Sequence, residues 1–291
     1  MLVDKYLTYP AGDYRAATLG KIRQQIRSFR PDLLIYLMER RRAWKVYRDY
    51  LFFRWCGLRR FVGLPLTFDL RNCRPLRQSG TWESEAQRLG RCISVLGRAD
   101  CCRAKGWDLR LTDDEIGQAD EMFARANAGA PQSRRFLGLS IGTKQGINDW
   151  GDPNWSAVLT MLGPSLSGSA LVLIGAPEDR ERSQRLAKIW PNPVFNFCGR
   201  MSPRVSAALL RRVDALLCHD SGPMHLAAAV GTRCIAVFSS KDLPGKWFPF
   251  GNQHTIFRPA SPTGSIQEIS PSAVVAAVYR VLETTVDASM T

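Results

Sequence analysis

The chain has 291 residues, of which 45% are apolar and 23% charged, and its formal net charge at pH 7 is +14. This length suffices for one large domain or two ordinary ones, and the apolar content is typical of a soluble globular protein. No stretch approaches the roughly 18 consecutive apolar residues that span a bilayer, and the N-terminus lacks the apolar core of a signal peptide. We therefore expect a cytoplasmic protein rather than a membrane-spanning or secreted one.

The eight cysteines do not form a metal-binding framework. No Cys-x-x-Cys pair occurs, and neither His219 nor His225 lies among cysteines at a spacing that suits zinc. In a chain of this length we expect reduced thiols that are mostly buried, and no metal site.

The positive charge is concentrated in the first third of the chain, where Arg40, Arg41 and Arg42 are consecutive. Such an excess attracts polyanions, which include nucleic acid, anionic lipid and phosphorylated glycolipids. A solvated basic surface that aids solubility has the same composition, so charge alone does not choose among these partners.

The first hundred residues show helical periodicity interrupted by short apolar runs. Helical spacing of apolar residues predicts helices, and short buried runs predict strands. In chain order, the predicted elements are a helix at 17–29, a strand at 33–37, a helix at 42–55, a strand at 61–64 and a helix at 83–96.

A linker is predicted after the next helix. Thr112 and Glu115 have the spacing of a capping box and begin a helix that runs to about residue 128. Residues 128–133 are turn formers with few bulky apolar side chains, as is typical of a linker. The expected domains are an N-terminal domain at 1–130, a C-terminal domain at 135–270, and a closing helix and tail at 271–291.

From residue 136 onward, strands and helices alternate regularly. This alternation predicts a parallel sheet wound on both faces. Ser270 and Pro271 suit the N-cap and first position of the closing helix, which is predicted to reach about residue 283. The predicted strands are at 136–141, 170–175, 194–197, 215–217 and 234–238, with helices at 154–162, 178–189 and 202–212.

The most informative stretch is residues 218–231, which reads as strand end, polar turn, short helix and glycine stop. Pro223 suits the first helical position, Ser221 or Asp220 suits the N-cap, and Gly231 suits a left-handed stop. A helix that begins at the carboxyl end of a strand is where α/β proteins hold phosphate groups. His225, in the first turn, would add a side-chain donor, whereas a plain capped helix with a packing histidine is the simpler alternative.

A second candidate anion site follows the first strand of this half. Gly142 permits close backbone approach, Thr143 supplies a hydroxyl and Lys144 supplies a mobile positive charge, a combination that suits a diphosphate. The segment is not a Walker loop, because the spacing and the trailing Lys-Ser/Thr pair are absent. We expect the loops after Ile141 and Leu217 to converge on one pyrophosphate, although an isolated Gly-Thr-Lys segment is more often a surface loop.

Residues 220–231, Asp-Ser-Gly-Pro-Met-His-Leu-Ala-Ala-Ala-Val-Gly, resemble the signature of the heptosyltransferase-like glycosyltransferases, glycosyltransferase family 9. The resemblance is good from about residue 136 to 257 and weaker from 30 to 65. It implies an α/β, GT-B-like fold, in which two Rossmann-like parallel-sheet domains face a cleft, with the first domain incomplete here. Nucleotide-sugar epimerases share a related fold, but the single histidine-bearing signature resembles the transferases more closely.

The resemblance also implies a function and a set of site residues. The function is inverting transfer of a sugar from a nucleotide-diphosphate donor to a lipopolysaccharide or lipid-linked glycan acceptor, without a cofactor or an obligatory metal. Trp150 and Trp155 stand where the family has tryptophans, but Asn148 occupies about the place of a family lysine, and segment 241–251 resembles a family loop. The implied residues are Gly142, Thr143, Lys144, Asp220, Ser221, Gly222, Met224 and His225 at the diphosphate, with Gly175, Gly199, Arg200 and Met201 near the base or ribose.

The catalytic residue remains unassigned. The family's base is an Asp in a Gly-Asp loop after a first strand, and this chain is expected to start after that point. Gly12 and Asp13 have no apolar strand before them, so an exposed turn is the simpler interpretation, and Glu39 is explained as a helix-entry carboxylate. Loss of a base lowers the rate by about 10²–10⁴-fold.

Two hypotheses follow from these residues. The first is the glycosyltransferase, whose basic N-terminal domain would meet a phosphorylated acceptor or make peripheral contact with an anionic inner membrane. The alternative is a nucleotide-sugar-binding protein that has lost transferase activity. A nucleic-acid partner is not expected, because only the charge suggests one and no binding module is recognisable.

Overall fold

The computed structural model describes residues 5–8, 15–39, 41–128 and 135–288. The chain divides into two compact units, residues 1–101 and 102–291. In the first unit the described elements are α1 (Ala16–Phe29), β1 (Leu33–Ile35), α2 (Ala43–Trp55), β2 (Arg60–Val62), α3 (Phe68–Arg71), β3 (Pro75–Leu76), β4 (Thr81–Trp82) and α4 (Glu85–Cys92).

The first unit is built around a parallel pair, β1 and β2, in which Leu34 lies opposite Phe61. Its small apolar core is formed by Ile26, Cys56 and Leu58. The predicted helices and strands are present, but β1 and β2 are shorter than the predicted 33–37 and 61–64, and α4 is shorter than the predicted 83–96. It is followed by a separate 3₁₀ turn, and β3 and β4, which pair antiparallel, were not predicted.

The second unit alternates strands and helices, as the sequence predicts. Its described elements are α5 (Asp113–Asn127), β5 (Arg135–Ser140), α6 (Asp152–Leu162), β6 (Ser169–Leu173), α7 (Arg180–Ala187), β7 (Val194–Asn196), α8 (Pro203–Leu210), β8 (Ala215–His219), α9 (Gly222–Ala229), β9 (Arg233–Val237), β10 (Thr255–Phe257) and α10 (Pro271–Ala288).

Among the described residues, the sheet of the second unit has six strands, all parallel, in the order β10-β9-β8-β5-β6-β7. This is the doubly wound order, in which the chain moves outward from β5 in one direction and then returns to continue from β8 in the other. The edge strand β10 was not predicted. The α/β, Rossmann-like prediction for this half is confirmed.

Side chains alternate between the two faces of this sheet. On β6, Leu171 and Leu173 pack in one core with α6 and α10, while Ala170 and Val172 pack in the other with α5, α8 and α9. Because both faces are covered, the central strands are almost continuously apolar. The closing helix thus belongs to the core of the second unit.

Helix α5 also belongs to the second unit. The ring of Phe123 lies 4.7 Å from that of Phe136 on β5, and Arg204 on α8 donates a hydrogen bond of 2.8 Å to Glu115. The unit boundary lies at residues 101–102, whereas the sequence prediction assigned residues up to 130 to the first domain. Residues 129–133 of the predicted linker lie outside the described residues.

Candidate functional site

The two predicted loops lie at the same edge of the sheet. Strands β5 and β8 are parallel neighbours with Ser140 opposite Cys218, so the segments that leave their carboxyl ends start side by side. In a doubly wound sheet this is the switch point, where ligands bind in the crevice outside the strand ends. The loops after Ile141 and Leu217 therefore begin side by side, and their convergence on one pyrophosphate stays a prediction.

His219, the last residue of β8, fixes both loops. Its Nδ1–H donates to the backbone oxygen of Ile141 at 3.1 Å, and its Nε2 accepts the backbone N–H of Trp150 at 3.0 Å. A carbonyl only accepts and an amide N–H only donates, so these partners define the neutral tautomer. Burial lowers the pKa of His219 from its ordinary value to about 4. The ring is therefore a neutral structural bridge at pH 7.

The loop after β5 approaches a carboxylate closely. A Cβ atom on Gly142 would overlap the carboxylate of Asp179, which accepts the backbone N–H of Ala176 at 2.8 Å. The Thr143 hydroxyl donates to the backbone oxygen of Gln145 at 3.2 Å. Lys144 is exposed, and no ion pair with it is found in the described part of the chain.

Asn148 is engaged inside the protein. Its Oδ1 accepts the Ser239 hydroxyl at 2.6 Å. Arg182 on α7 braces the same segment through Asp149 at 2.7 Å and Asp152 at 2.6 Å. The segment between β5 and α6 is therefore anchored from Ser239, which follows β9, and from α7, while Lys144 is its exposed cation.

The beginning of α9 differs from the predicted cap. Ser221 occupies the N-cap position, but its side chain makes no capping bond, and within the described residues its buried Oγ has no hydrogen-bond partner. The prediction that Asp220 or Ser221 caps the helix is wrong in this respect. Gly222 is the first helical residue, and Gly231 ends the motif at φ +86°, as predicted. The first backbone N–H groups of α9 thus lack a side-chain acceptor.

His225 and Asp220 lie together beside this helix start. His225 Nε2 is 4.0 Å from Asp220 Oδ1, and the ring of Trp247 lies 6.5 Å from that of His225. Burial lowers the pKa of His225 from its ordinary value. Burial, reinforced by Asp242, raises the pKa of Asp220 to about 7. The beginning of α9 therefore combines a carboxyl that is partly protonated near neutral pH with an imidazole that tends to stay neutral.

Two cations near Asp220 were not singled out by the sequence analysis. Lys246 is buried, with its Nζ 3.9 Å from Asp242, and Arg258 donates from Nη2 to the backbone oxygen of Asp242 at 2.7 Å. The buried Nη1 of Arg258 has no partner among the residues described. The signal that could have found Lys246 was its place in segment 241–251, whereas Arg258 follows β10, which was not predicted.

The residues that were predicted to lie near the nucleotide's base or ribose follow the next two strands, β6 and β7. Gly199, at φ +69°, donates its N–H to the backbone oxygen of Gly175 at 3.0 Å, and Pro177 packs against it. Arg200 is exposed, and Met201 is half-buried against the core. The two turns therefore meet at the same sheet edge as the diphosphate residues.

Other predicted residues belong to the core. Met224 is fully buried, so only its backbone is available to a ligand. Trp150 and Trp155 are also fully buried, with ring centroids 4.8 Å apart, and Trp150 Nε1 donates to the backbone oxygen of Ile269 at 3.1 Å. Both tryptophans therefore serve as packing residues of the core.

The catalytic base remains unassigned. Gly12 and Asp13 lie outside the described residues, and Glu39 is exposed four residues before α2 begins rather than at the helix entry. All eight cysteines are described, none forms a disulfide and six are buried. Within residues 5–8, 15–39, 41–128 and 135–288, no cluster of three or more His, Cys, Asp or Glu side chains is placed to bind a metal, and no helix is long and apolar enough to cross a membrane.

Known proteins resemble this chain in sequence and in fold. A family model described as glycosyltransferase family 9 (heptosyltransferase) matches residues 95–271. A curated relative, lipopolysaccharide core heptosyltransferase OpsX of Haemophilus influenzae, is 23% identical over 146 residues, which are 50% of this chain and 40% of the relative. The match thus spans less than half of that relative.

Two solved structures share the fold over most of the chain. A family 9 glycosyl transferase from Veillonella parvula has a TM-score of 0.67 at 18% identity, covering 92% of this chain and 78% of its own. The ADP-heptose lipopolysaccharide heptosyltransferase II of E. coli has a TM-score of 0.62 at 17% identity, covering 92% and 82%. The fold is GT-B-like, as predicted, and the family match covers more than half of the sequence. The chain therefore belongs to glycosyltransferase family 9.

Proposed function

We propose that this protein transfers a sugar from a nucleotide-diphosphate donor to a lipopolysaccharide or other lipid-linked glycan acceptor. Membership of glycosyltransferase family 9 supports sugar transfer as the reaction class. ADP-heptose is the donor to test first, because it appears in the name of the E. coli structural relative.

The observation that carries the proposal is the uncapped start of α9 beside the loop after β5. The first N–H groups of α9 receive no capping bond from the Ser221 side chain, and the buried Ser221 hydroxyl has no hydrogen-bond partner among the described residues. A diphosphate would accept these hydrogen bonds and be favoured by the helix dipole. Lys144, on the neighbouring loop, would add a charge-assisted contact.

In an inverting transfer, these groups would bind the diphosphate that leaves the sugar. The acceptor hydroxyl oxygen forms a bond to the anomeric carbon while the bond from that carbon to the diphosphate breaks. The electron pair leaves with the diphosphate, and the hydroxyl proton passes to a base that is still to be assigned. Preorganised N–H donors and Lys144 would stabilise the charge that develops on the diphosphate. We expect transfer without an obligatory metal, so activity should survive a chelator.

We propose that the acceptor molecule binds to the first unit, which is rich in Lys and Arg. An excess of Lys and Arg attracts a phosphorylated glycolipid or the anionic leaflet in which it lies. The protein would therefore act from the cytoplasm, in peripheral contact with the inner membrane.

Calorimetric titration with ADP tests the donor site. Lys144→Ala and His225→Ala are each expected to weaken binding about tenfold, the equivalent of one charge-assisted hydrogen bond. Lys188→Ala, at an exposed lysine after α7, is the matched control and should bind as the parent does. Unchanged affinity in both site variants would refute the assignment.

The alternative function is nucleotide-sugar binding without transfer. It is favoured by one observation, that the side chain of Glu39, which follows β1, is exposed to solvent. An assay with radiolabelled donor and membrane extract separates the two. Labelled glycolipid supports transfer, whereas tight donor binding without product supports the alternative.

A further inference from the structure

Helix α2 presents large apolar side chains to solvent along one face. Trp44, Tyr47, Leu51 and Trp55 are 56%, 54%, 64% and 50% exposed. Their spacing of three, four and four residues aligns them in one stripe along the helix. We call these four residues the α2 stripe.

The opposite face of α2 attaches the helix to its unit. Val46 is fully buried, and the ring of Tyr50 lies 4.9 Å from that of Phe61 on β2. Phe52 and Phe53 pack against the small core of this unit. The α2 stripe is therefore not needed to hold the helix in place, and a contiguous exposed patch of this kind marks an interaction surface.

Positive charge surrounds the α2 stripe. Lys45 Nζ and the Arg48 guanidinium carbon lie 5.6 and 5.7 Å from the ring of Trp44, and the guanidinium of Arg23 lies 4.6 Å from that of Trp55. Residues 41–60 contain seven Lys or Arg and a single acidic residue. A partner that matches the α2 stripe therefore needs an apolar region that can bury these side chains and a negatively charged surface around it.

We propose that the α2 stripe docks this protein on the surface of an anionic lipid bilayer. Trp and Tyr rings favour the headgroup boundary, where their apolar bodies are buried and their polar edges stay hydrated. Leu51, which has no polar edge, would insert between them at the apolar side of this boundary, and the flanking cations would meet anionic headgroups. A nucleic acid would use the cations but leave Leu51 without an apolar partner.

The geometry favours a helix that lies in the membrane surface. Helix α2 has 13 residues, which correspond to a length of about 20 Å. Among the described helices none is able to span a bilayer. The inference rests on the proposed function, because it names the surface by which the protein would bind the membrane that holds a lipid-linked acceptor.

Vesicle sedimentation tests the proposal on the full chain. The probes are large vesicles of phosphatidylethanolamine with phosphatidylglycerol, and vesicles of phosphatidylcholine alone. The parent protein should pellet with the anionic vesicles, and Leu51→Glu should weaken this binding about tenfold or more, because it replaces a buried apolar group by a repelled charge. Val95→Glu carries the same charge at a 77% exposed position of the same unit and should bind as the parent does.

A double variant measures how much the positive charges contribute to vesicle binding. Arg42→Gln with Lys45→Gln should lower binding to anionic vesicles several-fold and reduce its dependence on salt, since each cation near the surface contributes to attraction. Binding to phosphatidylcholine should stay weak in every variant. Trp fluorescence of the parent should shift to shorter wavelength on vesicle addition.

Three outcomes would overturn the inference. They are equal binding of parent protein to both vesicle types, equal loss in Leu51→Glu and Val95→Glu, and a parent dimer that Leu51→Glu converts to a monomer without a change in pelleting. ADP titration of each variant keeps the two proposals distinct. Leu51→Glu should retain nucleotide affinity, and Lys144→Ala should pellet as the parent does. A parent protein that pellets with anionic vesicles but does not bind ADP would refute the donor site alone.

Discussion

His219 accepts the backbone N–H of Trp150 at 3.0 Å, and this one contact joins the end of β8 to the segment before α6. The same ring donates to Ile141, at the end of β5. A single neutral imidazole thus sets the separation of the two loops between which the diphosphate is proposed to bind. Its protonation would remove the acceptor that Trp150 needs.

The first prediction concerns the pH dependence of stability. Burial lowers the pKa of His219 to about 4 in the folded protein, whereas it is about 6.5 in the unfolded chain. The unfolded state therefore binds more protons between these values, and the contribution of His219 is complete above pH 6.5 and lost as the pH falls toward 4. The free energy of unfolding should show a loss of about 2 kcal/mol from this residue between pH 7.5 and 4.5.

Urea unfolding of the parent and His219→Ala at both pH values isolates this contribution. The variant should be less stable by about 2–4 kcal/mol at pH 7.5, because it loses two buried hydrogen bonds. The difference between the proteins should shrink at pH 4.5, since other titrating groups cancel in the comparison. A difference that stays constant would mean that His219 does not titrate as argued.

The second prediction contrasts two serines at helix starts. Ser202 caps α8 by accepting the Val205 N–H at 3.2 Å, so Ser202→Ala should lower the free energy of unfolding by about 1 kcal/mol. Ser221 at α9 makes no such bond, so Ser221→Ala should leave stability within about 0.5 kcal/mol or raise it. Thermal melts measure both effects.

The two substitutions should have the opposite order of effects on ADP affinity. Ser221→Ala should weaken ADP binding about three- to tenfold, the value of one hydrogen bond, while Ser202→Ala should not change it. Equal destabilisation by the two substitutions would show that the Ser221 hydroxyl already has a structural partner, and the argument for an available donor would fail.

Local patterns predicted the sheet of the second unit and both loops. Strands covered on two faces are continuously apolar, and a Gly-Pro pair after such a strand indicates a helix start, so residues 218–231 could be interpreted without a structure. Such patterns do not contain long-range pairs. That His219 faces Ile141, and that Asn148 binds Ser239, depends on how segments dozens of residues apart are brought together.

The assignment of α5 to the wrong domain has a similar physical reason. The capping box of Thr112 and Glu115 determines where the helix begins but not which core receives its apolar face. Strand β10 was missed because three half-buried residues at a sheet edge give no distinct periodicity. The unit to which α5 belongs and the presence of β10 could therefore be established only from the tertiary structure.

The third prediction concerns Gly142. A Cβ atom at this position would overlap the Asp179 carboxylate and displace it from the Ala176 N–H. Gly142→Ala should therefore lower the free energy of unfolding by about 1–3 kcal/mol, as overpacking does. Gly146→Ala, in the same loop with open space around it, is the control and should change stability by less than about 1 kcal/mol.

A double-mutant cycle checks the assigned cause. If Asp179 is the obstacle, Gly142→Ala should cost less in an Asp179→Ala background than in the parent, because the colliding carboxylate is gone. Additive effects would mean that Gly142 is required for another reason, and the account of this loop would have to change.

The fourth prediction tests the unit to which α5 belongs. Phe123 contacts Phe136 and Phe195, with ring centroids 4.7 and 5.9 Å away, so it joins α5 to β5 and β7. Phe123→Ala should remove about 2 kcal/mol from the stability of the second unit, since the side chain is half-buried. Phe68→Ala, at an exposed phenylalanine of the first unit, is the control.

Hydrogen exchange resolved by segment distinguishes the two units. In Phe123→Ala the amides of β5, β6 and β8 should exchange faster, while those of α1 and α2 should keep the rates of the parent. Faster exchange confined to α1 and α2 would instead attach α5 to the first unit, as the sequence suggested. Because Arg204 also binds Glu115 from α8, Arg204→Ala should accelerate exchange in the same set of strands. Agreement between an apolar and a polar contact would exclude a purely local effect at Phe123.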